Sequence, residues 1–255
     1  ALACGIVGPV VFNVVSASGP YNEQVSIPEV SGVSSVNTVT FNGNGNTLTF
    51  NATVVGAPHT FALAGADNIK VNNLIIEGTG PTYALVCHLW NDADNNTFTN
   101  CTFNAPANGS TTTQVPFSIS GSATAALSSG PSGSNNIVTG CTMFSGYYNT
   151  VLYGNSASPN VGNQIINCNI TDQYSYATYC LYQNGAVFSG NTFDRPTRTT
   201  LSTYYGMYLS TGCTNTLVEK NKFRNTWATN PTATGTQYTI YCTIDASLGN
   251  ENKFY

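Results

Sequence analysis

The sequence predicts an all-β chain, a right-handed parallel β-helix (a solenoid) of roughly eight to nine coils. Three observations carry this. A short phrase returns as NNLII (72–76), TNCTF (99–103), TGCTM (139–143), INCNI (166–170), SGNTF (189–193), EKNKF (219–223) and NENKF (250–254). A second strand-like segment lies between consecutive copies. No stretch carries the apolar period of a helix. One such coil cannot bury its own apolar face, so coils must stack and pair in parallel. Residues 1–36 are expected to hold the end of an N-terminal cap and the first coil. Residues 37–255 supply the remaining coils of one domain, and the whole reads as a segment of a longer protein.

Aligned on its fifth residue, the phrase gives an apolar column: Phe50, Ile76, Phe103, Met143, Ile170, Phe193, Phe223 and Phe254. Two residues earlier runs Leu48, Leu74, Cys101, Cys141, Cys168, Asn191, Asn221 and Asn252. Period-two spacing puts both columns on the inner face of one strand. The second segment aligns on Val39, Phe61, Cys87, Phe117, Val151, Cys180, Met207 and Cys242. Its outward residues are then Ala62, His88, Ser118, Leu152, Leu181, Tyr208 and Thr243, flanked by Trp90, Tyr179, Gln183, Tyr241 and Asp245.

Asn73, Asn100 and Asn167, with Gly140 and Gly190 at the same place, mark a tight turn of left-handed residues and a ladder of stacked amides. Eight cysteines invite a disulfide reading. However, Cys101, Cys141 and Cys168 stack in register about 4.8 Å apart, which holds their Cβ atoms too far apart for an unstrained bridge. Buried free thiols are expected there. Cys4 and Cys213 fall outside the columns.

Only 7% of residues are charged and the net charge is −4. No basic patch offers a nucleic-acid surface, and no apolar run is long enough to span a bilayer.

The opening GPVVFNVVSASGPYNEQVSIPEVSGVSSVNTVTFNGNG (8–45), followed by repeats such as NNTFTNCTFNA, resembles pectate-lyase-like β-helix proteins of Bacteroidota. The resemblance implies a large secreted or cell-surface protein of the kind exported through a C-terminal sorting domain. It implies no single activity.

The sequence lacks the polygalacturonase phrases (NTD, a DD pair, GHG, RIK) and the pectinesterase phrase DFIFG, and the outward face lacks paired carboxylates for acid–base hydrolysis. Asp172 and Asp194 follow equivalent inward residues on neighbouring coils, with Arg195 and Arg198 beside them. Two carboxylates can share a Ca²⁺ ion and an arginine can take a proton from a bound uronate. Pectate lyases are similar in using Ca²⁺ and an R-x-P-x-x-R arginine, but here the phrase is R-P-T-R. The alternative is a solvated ion-pair cluster on a turn. Asp92, Asp94 and Asn96 in WNDADNN place oxygens at alternating positions, yet lack the glycine and distal glutamate of a calcium loop, and read as a polar turn. His88 reads as a surface histidine. Tyr83, Tyr147, Tyr176 and Tyr238 share one offset, with Tyr148, Tyr204 and Tyr205 nearby; such rings stack on one another or receive sugar faces. Ser/Thr/Gly-rich insertions at 104–114 and 120–135 flank one coil.

The resulting expectation is a non-catalytic extracellular module, structural or adhesive, that contacts a polysaccharide or cell-surface glycan through Trp90, Tyr179, Tyr208 and Tyr241 and needs no cofactor. One alternative is a Ca²⁺-dependent polysaccharide lyase using Arg195, Arg198, Asp172 and Asp194. A second is a filament-forming subunit that self-associates head to tail.

Overall fold

The computed structural model describes residues 2–227, 235–243 and 247–255. Their strands build three long parallel sheets along a solenoid, with a two-stranded one, Asn160–Val161 beside Gln183–Asn184, at a turn. Sheet A has nine strands, from Val10–Asn13 to Lys253–Phe254; sheet B has eight, from Tyr21–Asn22 to Lys222–Arg224; sheet C has eight, from Val25–Pro28 to Gln237–Cys242. Within each sheet a strand pairs with its counterpart one coil away, as Thr97–Thr99 does with Ile69–Asn72 and Ile137–Thr139. Among the described residues the helix content is one 3-10 turn, Leu2–Cys4. The parallel β-helix predicted by the repeat is the fold observed.

The recurring phrase is two strands rather than one. In TNCTF, the sheet A strand ends at Thr99, Asn100 turns the corner with φ 52°, and the sheet B strand Thr102–Asn104 follows. The same corner is turned by Asn73, Gly140, Asn167 and Gly190, all at positive φ, as their tolerance of left-handed dihedrals requires. Cys101 lies at the corner and Phe103 on sheet B, and both are buried. The inward alternation resets at the corner: Phe98 is the buried residue of the sheet A strand, and Cys101 and Phe103 follow it after the turn. In register, the sheet B core column is Leu48, Ile76, Phe103, Met143, Ile170, Phe193 and Phe223. Two expected members fall elsewhere. Phe50 pairs with Gly78, and Phe254 pairs with Val218 on sheet A.

The corner asparagines do not make the amide ladder. It forms at the next corner, before sheet A. There Asn96 Oδ1 accepts the Ile69 N–H (2.8 Å), Asn136 Oδ1 that of Asn96 (3.0 Å) and Asn163 Oδ1 that of Asn136 (2.9 Å). These amides are buried, so each satisfies a backbone donor that water cannot reach. Below Cys101, Cys141 and Cys168, Asn191 and Asn221 continue that column in the same way, with Asn191 Oδ1 accepting the Cys168 N–H at 2.9 Å. The stacked thiols are free.

Sheet C departs from strict alternation. Val86 and Cys87 both join the central core, whereas Leu85 packs in a separate outer cluster with Val115, Tyr148 and Val151. Two consecutive residues thus point inward, a kink repeated at the same place in each coil while the pairing between coils stays one-to-one. The inner columns are Phe61, Cys87, Phe117, Thr150, Thr178, Met207 and Ile240, then Leu63, Leu89, Ile119, Leu152, Cys180, Leu209 and Cys242. Val151 is therefore outward and Leu152 inward, opposite to expectation, while Cys180 and Cys242 belong to the second column. Asp245 lies outside the described residues.

Candidate functional site: the outer face of sheet C

This kink sets what sheet C shows outside. From the Tyr148 coil onward, outward residues stand three apart: Tyr148 and Val151, Tyr176 and Tyr179, Tyr205 and Tyr208, Tyr238 and Tyr241. Two tyrosine columns result. In the first, ring centroids follow at 4.9, 4.5 and 5.1 Å with interplanar angles of 25°, 3° and 16° from Tyr148 through Tyr176 and Tyr205 to Tyr238. These rings spend their faces on each other. In the second, Tyr179, Tyr208 and Tyr241 meet at 5.1 and 5.0 Å but at 73° and 60°. Their rings are edge to face rather than sandwiched, an arrangement aromatic quadrupoles favour. All but Tyr148 are half-buried. Burial pushes the phenols of Tyr148, Tyr176, Tyr179 and Tyr205 upward, so they remain protonated hydrogen-bond donors. The expected self-stacking is present, with its membership corrected. Tyr148 and Tyr205 occupy the ladder, Tyr147 packs beside it at 4.8 Å from Tyr148, and Tyr204 is buried inside.

No strand of sheet C carries a charged residue. Its described strands are aromatic and hydroxyl-bearing, without a carboxylate to act as acid or base.

The earlier coils of this face are closed by the 120–135 segment. Ala126 packs into the outer cluster, and Gly121 N–H donates to the Ser128 carbonyl at 2.8 Å. His88 lies beneath, 0% exposed, and is not a surface histidine. Its Nε2 is 2.7 Å from the Ser122 carbonyl and its Nδ1 2.7 Å from Ser118 Oγ. The carbonyl can only accept, so Nε2 carries the proton and Ser118 donates to Nδ1. Burial pulls the imidazole down to about 4, and burial alone does the same to neighbouring His59. The Trp90 ring stands 5.2 Å from His88 and 5.5 Å from His59. Trp90 thus sits on the histidine pair, several coils from Tyr179, Tyr208 and Tyr241.

The Asp172, Asp194, Arg195 and Arg198 cluster is neither a cleft nor a solvated turn. Asp172 Oδ1 accepts the N–H groups of Thr197 and Arg198, both at 2.9 Å, and Oδ2 accepts the Thr197 hydroxyl at 2.7 Å. Asp194 turns to Arg224 (2.8 Å) and Asn225 (2.9 Å). The two carboxylates thus serve different loops. Arg195 and Arg198 are each 1% exposed, and burial pulls both guanidiniums down to about 10. Arg198 donates to the carbonyls of Asp172 (3.1 Å), Thr200 (2.9 Å), Asn108 (3.1 Å) and Gly109 (2.8 Å) and lies over the Tyr174 ring. It clamps the 104–114 insertion to the 196–200 loop. Arg195 is held between the Tyr204 and Trp227 rings, 5.2 and 5.4 Å from their centroids. Weakly hydrated guanidinium suits such a site better than ammonium.

In WNDADNN the three oxygens diverge. Asp92 is exposed, Asp94 Oδ1 accepts the Ser134 N–H at 2.6 Å, and Asn96 belongs to the buried ladder. Among the described residues no group of three or more His, Cys, Asp or Glu side chains is placed to hold a metal ion. Nor is any helix there long and apolar enough to cross a membrane.

No protein-family model matches the chain, and no curated protein does. Among solved structures it is similar to the pectin methylesterase of Aspergillus niger, with a TM-score of 0.56 at 12% identity over 95% of this chain and 78% of that one. A pectin methylesterase from Yersinia enterocolitica gives 0.45 at 12% identity, over 93% and 92%. A pectate lyase gives 0.42 at 11%, over 97% and 69%. At these identities the likeness is one of fold.

Proposed function

We propose that the chain is a non-catalytic, extracellular β-helix module with a structural or adhesive role, and that it binds a polysaccharide on the tyrosine face of sheet C. The double tyrosine column carries this reading. Its second column presents C–H-compatible ring surface and phenol hydroxyls together, with no charge in the strands beneath, as sugar recognition needs. Tyr179, Tyr208 and Tyr241 are the contact residues. Trp90, on the same face but beside the 120–135 segment, would extend contact to a longer chain. The fold shared with a pectin-processing enzyme supports a polysaccharide partner, and the resemblance of the opening residues to secreted β-helix proteins supports an extracellular setting.

The test is affinity electrophoresis of the folded protein through a panel of neutral and acidic polysaccharides, with unsaturated-uronate absorbance followed with and without Ca²⁺. Retardation by at least one polymer is expected, with no product. Replacing Tyr208 and Tyr241 by alanine should weaken binding about tenfold or more. Retardation unchanged in that variant would overturn the site. Ca²⁺-dependent product lost in Arg195→Lys would instead establish the lyase reading, in which Asp172 must give up Thr197 and Arg198 to meet the ion.

A further inference from the structure

We propose that Cys180 and Cys213 join in a disulfide when the chain folds in an oxidising compartment. The setting rests on the extracellular placement above; the geometry does not.

All eight cysteines are free here. Cys101, Cys141 and Cys168 are held side by side by strand register. That fixes their Cβ atoms near the inter-strand spacing of about 4.8 Å, beyond the roughly 3.8 Å of a relaxed disulfide. Cys213 escapes this constraint because it is not a strand residue. The residue in register with Cys180 is Leu209. The chain then turns, with the Cys213 N–H donating to the Ser210 carbonyl at 3.3 Å, and Cys213 folds back over the preceding coil. Its Sγ reaches to 3.6 Å from Cys180 Sγ and 3.2 Å from the Cys180 carbonyl oxygen.

The backbone is pinned on both sides of the pair. Thr214 N–H donates to the Gln183 carbonyl at 2.8 Å, and Asn184 bridges to Thr214 in parallel. Closing the bond therefore asks for side-chain rotation, not backbone rearrangement. Both residues are 0% exposed. The bond must form while the coils are still assembling, and the finished core then shields it from reductant.

The co-reactant is a disulfide, that of glutathione or of a thiol–disulfide oxidoreductase. One cysteine thiolate attacks it, releasing one thiol and leaving a mixed disulfide. The second thiolate displaces the other. Two S–H bonds are lost, one S–S bond forms, and two electrons and two protons end on the co-reactant, which leaves as two thiols.

The test is refolding in a glutathione redox buffer, then alkylation in denaturant and intact mass, with a non-reduced peptide map. The expected result is two fewer alkylations than in the reduced chain and one cross-linked peptide pair containing Cys180 and Cys213. Cys101→Ala should keep that cross-link and Cys213→Ser should lose it. Full alkylation of protein that had folded, or a cross-link within the Cys101, Cys141 and Cys168 column, would overturn the proposal. Because the assay needs no polysaccharide, its failure is separate from failure of the glycan reading.

Discussion

Acidification from about pH 7 to about pH 4 should destabilise this fold through two histidines. His88 is sealed between Ser118 and the Ser122 carbonyl, and His59 is 8% exposed with neither ring nitrogen hydrogen-bonded. Burial lowers both from 6.5 to about 4. The folded state therefore holds neutral imidazole where the unfolded chain would take up a proton. The stability this confers is fully present above pH 6.5 and is lost as pH falls toward 4; below that both states are protonated and the loss is complete. A depression of this size corresponds to about 3 kcal/mol per histidine as an upper figure. No strand of sheet C carries a carboxylate to offset the new charge. Asp67 and Asp94, raised chiefly by burial, act in the opposite sense and soften the net slope. Urea unfolding followed by circular dichroism across this pH range measures the slope. The double variant His59→Leu/His88→Gln isolates the histidine share, whatever its absolute stability. If it loses stability with falling pH as steeply as the parent, the reasoning is wrong.

Arg198→Ala should cost about 3–5 kcal/mol, since it removes the guanidinium that donates to the buried carbonyls of Gly109 and Asp172 and to the carbonyl of Asn108; limited proteolysis should then cut within 104–114 before the strands. Asn136→Ala should cost about 2–3 kcal/mol, because the Asn96 N–H and the Ala93 carbonyl each lose their partner in the dry corner. The denaturation midpoint reads the loss, and Asn108→Ala, at an exposed loop with a backbone acceptor, should cost far less.

The solenoid was legible because each coil repeats the same demand: an apolar residue at a fixed inward place and an asparagine or glycine at a left-handed corner. The third sheet was hidden by the same regularity. Cys101 and Phe103 keep the alternation of a single strand, which hides that the sheet A strand has ended before Asn100 and that its own inward residue is Phe98. On sheet C, matching Cys87 to Cys180 by residue type gives the wrong register: Cys87 stands in line with Phe117, Thr150 and Thr178, and the kink after Leu85 breaks the period-two pattern that would have shown it. The adjacent pair Tyr204 and Tyr205 carried a usable signal, because neighbours in a strand face opposite ways. His88 is hidden because its cover comes from 120–135, whose serines and glycines give no local sign that they pack on a histidine. Arg195 and Arg198, expected in a lyase cleft or a solvated ion-pair cluster, are enclosed by aromatic rings and carbonyl oxygens, which no local pattern announces.

A stack of coils ordinarily communicates only with nearest neighbours, and its unfolding can begin at an end and fray inward one unit at a time. The Arg198 side chain breaks that locality. It reaches Ser145 at 3.4 Å across 53 residues and the Asn108 carbonyl at 3.1 Å across 90, and with the Thr199 donors to Asn108 Oδ1 it ties together turns of coils that are not nearest neighbours. Such a long-range tie lengthens the block that must open at once. Hydrogen exchange along this stretch should show a plateau of equal protection from about the 104–114 insertion to the 196–200 loop, with graded protection only outside it.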